Sequence, residues 1–340
     1  MSKLHNIRGL FLEEALLFLL RNSGYETVDK AGNDPTLKDS NNGLNVIGRG
    51  DKHQIDAIAD FKSSPPFSNP QRLLVEAKCL DKKKKVGLSV IRNAVGVIKD
   101  VQEYFVPSND RRIPHKIRYH YTYGIFSPNK YSFPAEKYAY AHDIYIIPIG
   151  NSLFLKPLID FIYDITISDI PEFTKMFKMN DYRMHIRKSL RNGVDSNSYD
   201  FTEKTDEKLK RFFQECKKIN LAFIAIAGKT FPILLIPSPE FKISQLKEIN
   251  QYKVRISEGE WFIESENGIK MFSFDLPIEL LNLYFDSGIF NQESALNLKE
   301  DKLFELKMIV ERENIISNYT LKLDRTWLNI LRDRGTNIED

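Results

Sequence analysis

Three side chains, Asp56, Glu76 and Lys78, are of the types that metal-assisted hydrolysis of a phosphodiester requires. Asp56 lies within residues 48–60 (GRGDKHQIDAIAD), and the other two lie within residues 72–80 (RLLVEAKCL). Carboxylate oxygens are the ligands that Mg²⁺ prefers, and a neighbouring lysine can orient and acidify an attacking water. These residues therefore predict a divalent-metal site carried by two strands.

The Glu-x-Lys pattern by itself is a weak signal, because it begins at five positions: Glu76, Glu215, Glu240, Glu300 and Glu305. Only the first of these follows an apolar run that is typical of a strand. The other four are expected on helix surfaces or in loops, where Glu and Lys are common. The alternative for the first triplet is an edge strand that carries solvated charges.

Strand periodicity predicts how these side chains are arranged. Side chains alternate across a strand, so Glu76 and Lys78 are expected to share one face. The same alternation puts Gln54 beside Asp56 on the preceding strand.

Several blocks within residues 7–160 resemble, in the expected order, the Mrr-like restriction endonuclease family, a branch of the PD-(D/E)xK nucleases. The blocks are residues 9–25, 53–60 (HQIDAIAD), 75–78 (VEAK), 86–97 and 124–149. The resemblance covers a little under half of the chain. Ile55 stands where the family usually has a proline before the aspartate.

The resemblance implies a mixed α/β sheet flanked by helices and the activity of a Mg²⁺-dependent DNA endonuclease, with Mn²⁺ expected to substitute. It implies that Asp56 and Glu76 bind the metal together with the main-chain carbonyl of Ala77. Lys78 is then expected to assist the attacking water. The products would carry 5′-phosphate and 3′-hydroxyl ends.

Glu13 matches an acid that reaches the metal site from the opening helix of that family, with Glu14 as the alternative. Glu13 shares helical spacing with Leu16, Leu17 and Leu20, which places it on or beside a buried stripe. A carboxylate there is costly unless something binds it. The reading of Glu13 as a partly exposed helix glutamate stays open.

Four consecutive lysines, Lys82, Lys83, Lys84 and Lys85, follow the proposed site. We expect them to contact the phosphates of DNA, and Gln54 to contribute to the same surface. The alternative for the lysine run is a solvated turn.

The first half of the chain is predicted to alternate strands and helices, as a mixed α/β sheet does. Helices are expected at residues 7–22, 88–105, 135–141 and 153–165, and strands at 45–47, 53–60, 72–80, 119–125 and 144–149. Residues 29–44 are expected to form a loop, and residues 63–70 a hairpin connection.

The second half is expected to form a separate α/β (α+β) domain. Residues 189–202 have the composition of a linker. Beyond a helix at 203–218, strands are predicted at 221–227, 231–237, 252–256, 261–264 and 271–274, and helices at 277–284, 291–314 and 323–332. The resulting division is a nuclease domain, 1–165, a connecting helix and linker, 166–202, and a target-recognition or regulatory domain, 203–340.

Composition is that of an ordinary globular protein, with a net charge of only +3. Residues 51–150 carry 16 Lys and Arg against 10 Asp and Glu, whereas residues 251–300 carry 4 against 9. The positive excess therefore lies where a polyanion would bind. Two distant cysteines, Cys79 and Cys216, and an opening apolar run that Glu13 and Glu14 interrupt favour a cytoplasmic protein without a membrane span.

The expected function is thus DNA cleavage in restriction or anti-phage defence, carried out by a homodimer because one site cuts one strand. One alternative is a nuclease that a small-molecule signal or a regulatory protein controls through residues 203–340. Another is a catalytically silent DNA-binding module, against which the complete set of Asp, Glu and Lys argues.

Overall fold

The computed structural model contains two compact units, residues 1–220 and residues 221–340. It describes residues 3–21, 23–40, 43–64, 67–104, 106–107, 116–150, 152, 154–174, 176–192, 201–219, 222–228, 231–257, 260–274, 276, 285–286, 289–290, 292–312 and 315–334. The first unit extends past the expected start of the second domain at residue 203 and includes the helix Glu203–Ile219.

The first unit is a mixed α/β structure. Its helices are α1 (Lys3–Arg21), α2 (Leu88–Glu103), α3 (Phe133–Ala141), α4 (Lys156–Tyr163), α5 (Met179–Asn192) and α6 (Glu203–Ile219), with a 3₁₀ turn at Ile167–Asp169. Its strands are β1 (Tyr25–Val28), β2 (Leu37–Ser40), β3 (Gly43–Ile47), β4 (Lys52–Ile55), β5 (Ala57–Phe61), β6 (Gln71–Ala77), β7 (Val106–Pro107), β8 (Lys116–Ile117), β9 (His120–Ser127) and β10 (Ile144–Pro148).

A five-stranded sheet in the order β1-β5-β6-β9-β10 forms the centre of this unit. β6 pairs antiparallel with β5 and parallel with β9. Helices α2 and α3 pack on the face that carries Ile58, Leu74 and Tyr123. Helix α1 packs against β1, β5 and β6. Leu73 and Val75 point to the face opposite Leu74, and all three are buried, so both faces of the sheet are covered.

The predicted strand at residues 53–60 is instead two strands that belong to different sheets. β4 pairs with β3 in the antiparallel sheet β2-β3-β4, whereas β5 pairs with β1 and β6 in the central sheet. Asp56 stands at the bend between them. The expected loop at 29–44 was wrong in its second part, because β2 and the start of β3 lie there.

The small sheet is fixed to helix α2 through Asp100. The Asp100 carboxylate accepts hydrogen bonds from the Gly50 amide at 2.7 Å and lies 2.6 Å from His53 Nε2. A Cβ on Gly48 would stand 2.0 Å from Asp100 Oδ2. The turn can therefore approach the Asp100 carboxylate only because glycine has no side chain. These contacts fix β4, and with it the approach to Asp56.

Helices α5 and α6 complete the core of the first unit. Tyr182 of α5 and Phe212 of α6 are buried and both pack edge-on against Phe11 of α1. The segment 166–202 is therefore more than a connection, since α5 occupies much of it; residues 193–200 lie outside the described ranges. Helix α4 is shorter than the predicted helix at 153–165.

The second unit is a closed barrel with flanking helices. Its strands are β11 (Phe223–Ala227), β12 (Phe231–Pro237), β13 (Gln251–Ser257), β14 (Glu260–Ser265), β15 (Lys270–Phe274), β16 (Phe285–Asp286), β17 (Ile289–Phe290), β18 (Glu305–Arg312) and β19 (Ile315–Leu323). The barrel order is β11-β12-β15-β14-β13-β19-β18, and β18 pairs back with β11. Helices lie at Gln292–Lys302 and Arg325–Arg334, and a 3₁₀ helix at Ile243–Glu248.

The predicted helix at 291–314 was wrong in its second part, which is strand β18. The Glu305 triplet, expected on a helix or in a loop, therefore lies on a strand. The predicted helix at 277–284 falls outside the described residues. Among the residues that are described, no helix is both long and apolar enough to cross a membrane.

Candidate functional site

Asp56 lies at the junction of the two sheets of the first unit, next to the end of β6. Its Oδ2 accepts a hydrogen bond from the backbone amide of Ala77 at 2.8 Å. The antiparallel register, in which Ala57 stands opposite Val75, brings the bend at Asp56 beside this amide. A side chain that precedes β5 is thus held against the last residue of β6.

Glu76 and Lys78 form an ion pair between Glu76 Oε1 and Lys78 Nζ. The buried hydroxyl of Tyr123, on the adjacent strand β9, donates a hydrogen bond to Glu76 Oε2. The main chain of Lys78 is also fixed, because its amide donates to Phe126 O at 2.9 Å and its carbonyl accepts from Ser127 Oγ at 2.6 Å. Strand β9 therefore holds the side chain of Glu76 and the backbone of Lys78, and Glu76 in turn holds the lysine side chain.

Glu13 of α1 reaches the same place from the other side of the unit. It is buried, and its Oε2 accepts a hydrogen bond from Arg183 Nη2 of α5 at 2.7 Å. Glu14 instead pairs with Arg187, whose Nε and Nη2 lie 2.8 and 2.6 Å from its two oxygens. Of the two glutamates that the sequence offered, Glu13 is the one that meets Asp56 in a cleft.

That cleft, here called the main cleft, encloses about 870 Å³. Its walls include Glu13, Gln54, Asp56, Ala77 and Lys78, together with residues of α1 and α5. Gln54 is exposed there. The cleft thus brings together Glu13, Asp56, Lys78 and Gln54, whereas Glu76 is not among its lining residues and is joined to it through the ion pair with Lys78.

Mutual repulsion and burial determine the charges in the main cleft. Burial and the nearby Asp56 raise the pKa of Glu13 to about 8, against the lowering effect of Arg183. Burial and Glu76 raise the pKa of Asp56 to about 6, although the Ala77 amide and Lys78 lower it. Burial alone would lower the pKa of Lys78, but Glu76, Asp56 and Glu13 raise it above its ordinary value, so the lysine is a cation at neutral pH.

The carboxyl groups in and beside the main cleft are the donors that could hold a hard divalent cation with part of its water shell. Within the described ranges, no group of three or more His, Cys, Asp or Glu side chains is placed to hold a metal ion. Mg²⁺ is commonly bound through only one or two carboxylates with several waters. Asp56 and Glu76 are two neighbouring carboxylates, and the two oxygens of Glu76 also contact Lys78 and Tyr123. Burial first and Glu76 second raise the pKa of Asp56, and a nearby cation would act in the opposite direction.

The four lysines of residues 82–85 are all exposed in the turn that follows the cleft. Lys84 pairs with Asp81 at 2.7 Å, and the Lys82 ammonium lies 5.1 Å from the centre of the Tyr163 ring. The cleft wall ends at Leu80, so the lysines begin just beyond it. This arrangement fits both a solvated turn and a phosphate-binding surface.

Sequence reasoning missed Arg183, which lies in the expected connecting segment. Arg183, Arg187 and Arg191 recur every four residues and so share one helix face. Each pairs with an acid of the first unit: Arg183 with Glu13, Arg187 with Glu14 and Asp29, and Arg191 with Asp29. This spacing was the available signal that α5 packs against acidic residues.

Comparisons with known proteins add little to this description. No protein-family model matches the chain, and no curated protein matches it. A solved structure titled "Crystal Structure of Protein of Unknown Function AF1548" aligns with a TM-score of 0.33 and 17% identity, covering 62% of this chain and 97% of that one. A TM-score this low carries no argument about fold or function.

Proposed function

We propose that the protein is a divalent-cation-dependent endonuclease that hydrolyses phosphodiester bonds of DNA in the main cleft. The observation that carries the proposal is that Glu13, Asp56 and Lys78 line one cleft, with Glu76 paired to Lys78. This is the constellation that the resemblance to Mrr-like PD-(D/E)xK nucleases implies. The specific fold of that superfamily is part of the proposal.

Asp56, Glu76 and the main-chain carbonyl of Ala77 would hold the cation, which we take to be Mg²⁺, with Mn²⁺ able to replace it. Such an ion supplies Lewis-acid polarisation of the phosphate and lowers the pKa of water. The chain itself contributes rigid placement, because the Ala77 amide holds Asp56 and the Tyr123 hydroxyl holds Glu76. Preorganised polar groups of this kind are effective because they need no rearrangement during the reaction.

Lys78 would contribute positive charge beside the reacting phosphate. It is paired with Glu76 and remains protonated at neutral pH, so it orients water and stabilises developing negative charge instead of accepting a proton. Glu13 would complete the wall of carboxyl groups, held in place by the hydrogen bond from Arg183. Lys82 to Lys85 and Gln54 would contact the DNA backbone as it leaves the cleft.

The test is incubation of the purified protein with supercoiled plasmid, with and without Mg²⁺, on methylated and unmethylated DNA. We expect nicked or linear products only with the divalent ion. Binding without cleavage under every condition would favour the alternative of a catalytically silent DNA-binding module. A protein that neither binds nor cuts DNA under any of these conditions would contradict the proposal.

Double-strand cleavage further requires two sites, so we propose a homodimer that presents one site to each strand. Sedimentation of the free protein and of its DNA complex should then show two chains in at least one state. A strict monomer that linearises plasmid without a nicked intermediate would exclude the dimer.

The second unit is proposed to control or target this activity. The excess of acidic residues in 251–300 disfavours direct DNA contact by that segment and so favours regulation by a small molecule or a protein. An activity that appears only when a cellular extract is added would support a gated nuclease.

A further inference from the structure

Arg183 of α5 stands between two cavities of the first unit. It lines the main cleft, and it also lines a second cavity of about 530 Å³, here called the side cavity, which lies between α5 and the β2–β3 hairpin. Asp56 is the acid that borders both cavities as well. The guanidinium therefore occupies the wall that separates the site from the side cavity.

The three arginines of α5 are used differently. Arg187 is buried, with Nε and Nη2 on Glu14 and Nη1 on Asp29, so carboxylates surround its whole guanidinium. Arg191 pairs with Asp29 and donates to Thr27 Oγ1, and it borders neither cavity. Arg183 alone of the three extends into the main cleft, where it meets Glu13.

The β2–β3 hairpin leaves room for the guanidinium of Arg183 at Gly43. Gly43 has a φ of +128°, and a Cβ at this residue would lie 3.1 Å from Arg183 Nη1. A side chain there would be strained by the backbone and would crowd the guanidinium. Gly43 thus lets the hairpin close over an arginine that is held at the cleft.

A polyanion that enters the main cleft at neutral pH meets the negative charge of Asp56 unless cations stand beside it. Lys78 supplies one cation from the sheet side, and Arg183 supplies one from the α5 side, with an exposed fraction of 16% for its side chain. A guanidinium offers a planar fork of donors that matches two oxygens of one phosphate. Its hydrogen bonds are also strengthened by partial burial.

We propose that Arg183 is a further substrate-contacting residue, whose guanidinium binds a backbone phosphate of the nucleic acid within the main cleft. This inference rests on the proposed nuclease function and extends it. In the free protein Glu13 holds the guanidinium in place. When the substrate binds, one N–H group of Arg183 donates its hydrogen bond to a phosphate oxygen. Arg183 then completes a pair of cations, with Lys78, on opposite walls of the cleft.

The experiment measures DNA binding in a Lys78→Ala background with Mg²⁺, so that the duplex stays intact. Adding Arg183→Gln should weaken binding roughly tenfold or more, because a charge-assisted hydrogen bond is lost. It should also reduce the slope of log affinity against log salt by about 0.9, the value for one phosphate contact. The matched control is Arg191→Gln, which removes the same charge from the same helix and should leave affinity and slope near those of the parent.

Two further variants separate contact from support. Arg183→Lys keeps the charge but not the fork, so it should retain the salt slope and lose part of the affinity. If Arg183 served only to hold Glu13, then Glu13→Gln would weaken binding as much as Arg183→Gln does. Under the proposal, Glu13→Gln puts a neutral amide where the protonated Glu13 carboxyl stands below about pH 8, so binding at pH 7 stays near that of the parent.

The two proposals fail in distinguishable ways. If the wild type cuts DNA and Arg183→Gln binds it with the affinity and salt slope of the parent, the phosphate contact is refuted and the nuclease stands. If the wild type neither binds nor cuts DNA, both are refuted. Thermal unfolding of each variant checks that it is folded. If Arg183→Gln does not fold, the comparison of Arg183→Lys with Glu13→Gln decides whether Arg183 contacts the phosphate.

Discussion

Two acids of the site, Asp56 and Glu13, have pKa values that burial raises and that their hydrogen-bond partners lower. Burial and Glu76 raise the pKa of Asp56, and the Ala77 amide and Lys78 lower it. Burial and Asp56 raise the pKa of Glu13, and Arg183 lowers it. A group whose pKa is shifted by both burial and specific neighbours in a cleft is typical of functional sites. At this scale the sequence was informative, because it predicted Asp56, Lys78 and Glu13, which line one cleft, and Glu76, which pairs with Lys78.

Lys78→Ala should reduce plasmid cleavage roughly 10²–10³-fold or more, because it removes a preorganised cation beside the reacting phosphate. The protein should still fold, since the lysine side chain is partly exposed and, among the described residues, its ion pair is with Glu76. The initial rate of nicking in Mg²⁺ measures the effect. Lys99→Ala, an exposed lysine on α2, is the control and should cut like the wild type. Equal rates for the two variants would remove Lys78 from the site.

The raised pKa of Glu13 predicts that stability depends on pH. The folded protein holds this proton up to about pH 8, whereas an unfolded chain releases it near 4.5, so ionisation is costly only in the folded state. The stabilising effect is complete below pH 4.5 and is lost as pH rises through 8. Without divalent ions, the free energy of unfolding should therefore fall between these values.

Glu13→Gln mimics the protonated carboxyl, so its unfolding free energy should fall less than that of the wild type over the same range. Urea unfolding at pH 5, 7 and 9 measures the difference. Mg²⁺ at the highest pH should restore part of the stability of the wild type, since a ligand of the folded state stabilises it. Parallel pH curves for the two proteins would contradict the raised pKa.

At the scale of elements, the site depends on pieces that the sequence predicts to different degrees. Strand β6 and helices α2 and α3 follow apolar patterns and were predicted within a few residues. Strand β18 was mistaken for a helix although Leu306, Met308 and Val310 are buried and alternate with more exposed residues, which is the period of a strand. The helical neighbours before it and the charged residues within it concealed that period.

Helix α5 shows a different limit of prediction from the sequence. Its sequence is polar, and its importance arises from acids far away in the chain, such as Glu13 and Glu14. Local propensity predicts a helix, but only the tertiary structure shows which charges it meets. The site could thus be predicted for its sheet residues and for α1, and not for the arginine that α5 contributes.

A buried arginine on β6 fixes the segment that precedes β2. Arg72 is fully enclosed, forms two hydrogen bonds with Asp60 at 2.6 and 2.7 Å, and reaches Asp34 at 2.7 Å. Arg72→Met should destabilise the protein by roughly 3 kcal/mol, at the lower end for a broken buried pair because Asp60 is partly exposed. Urea unfolding of the whole protein measures the loss.

The matched control is Arg49→Met, which breaks the exposed pair of Arg49 with Glu103. A surface pair of this kind contributes about 1 kcal/mol or less. A similar small loss for both variants would show that Arg72 is not the anchor of its segment.

At the scale of the whole molecule, the boundary between the units determines which pieces can be separated. Helix α6 belongs to the first unit, and Phe212 on it packs 4.6 Å from Phe11 and 6.0 Å from Phe161, as measured between ring centres. A chain of residues 1–220 should therefore fold cooperatively by itself. A chain of residues 1–202, which ends at the boundary expected from the sequence, should not.

Phe212→Ala in the full chain isolates the same contact and should cost about 3–5 kcal/mol. Thermal unfolding followed by circular dichroism compares all three proteins. Equal midpoints for residues 1–202 and 1–220 would show that α6 is dispensable. If the second unit restrains the nuclease, residues 1–220 should also cut plasmid faster than the full chain does.

The pairing of Arg183 with Glu13 spans 170 positions of the chain. A ribosome releases Glu13, Asp56, Glu76 and Lys78 long before it releases α5. During that interval the nascent chain carries the acids of the cleft without the arginines that balance Glu13 and Glu14. Translation that stops before α5 therefore yields a cleft without its proposed phosphate-binding arginine, so the proposed nuclease site would be complete only after α5 has been made.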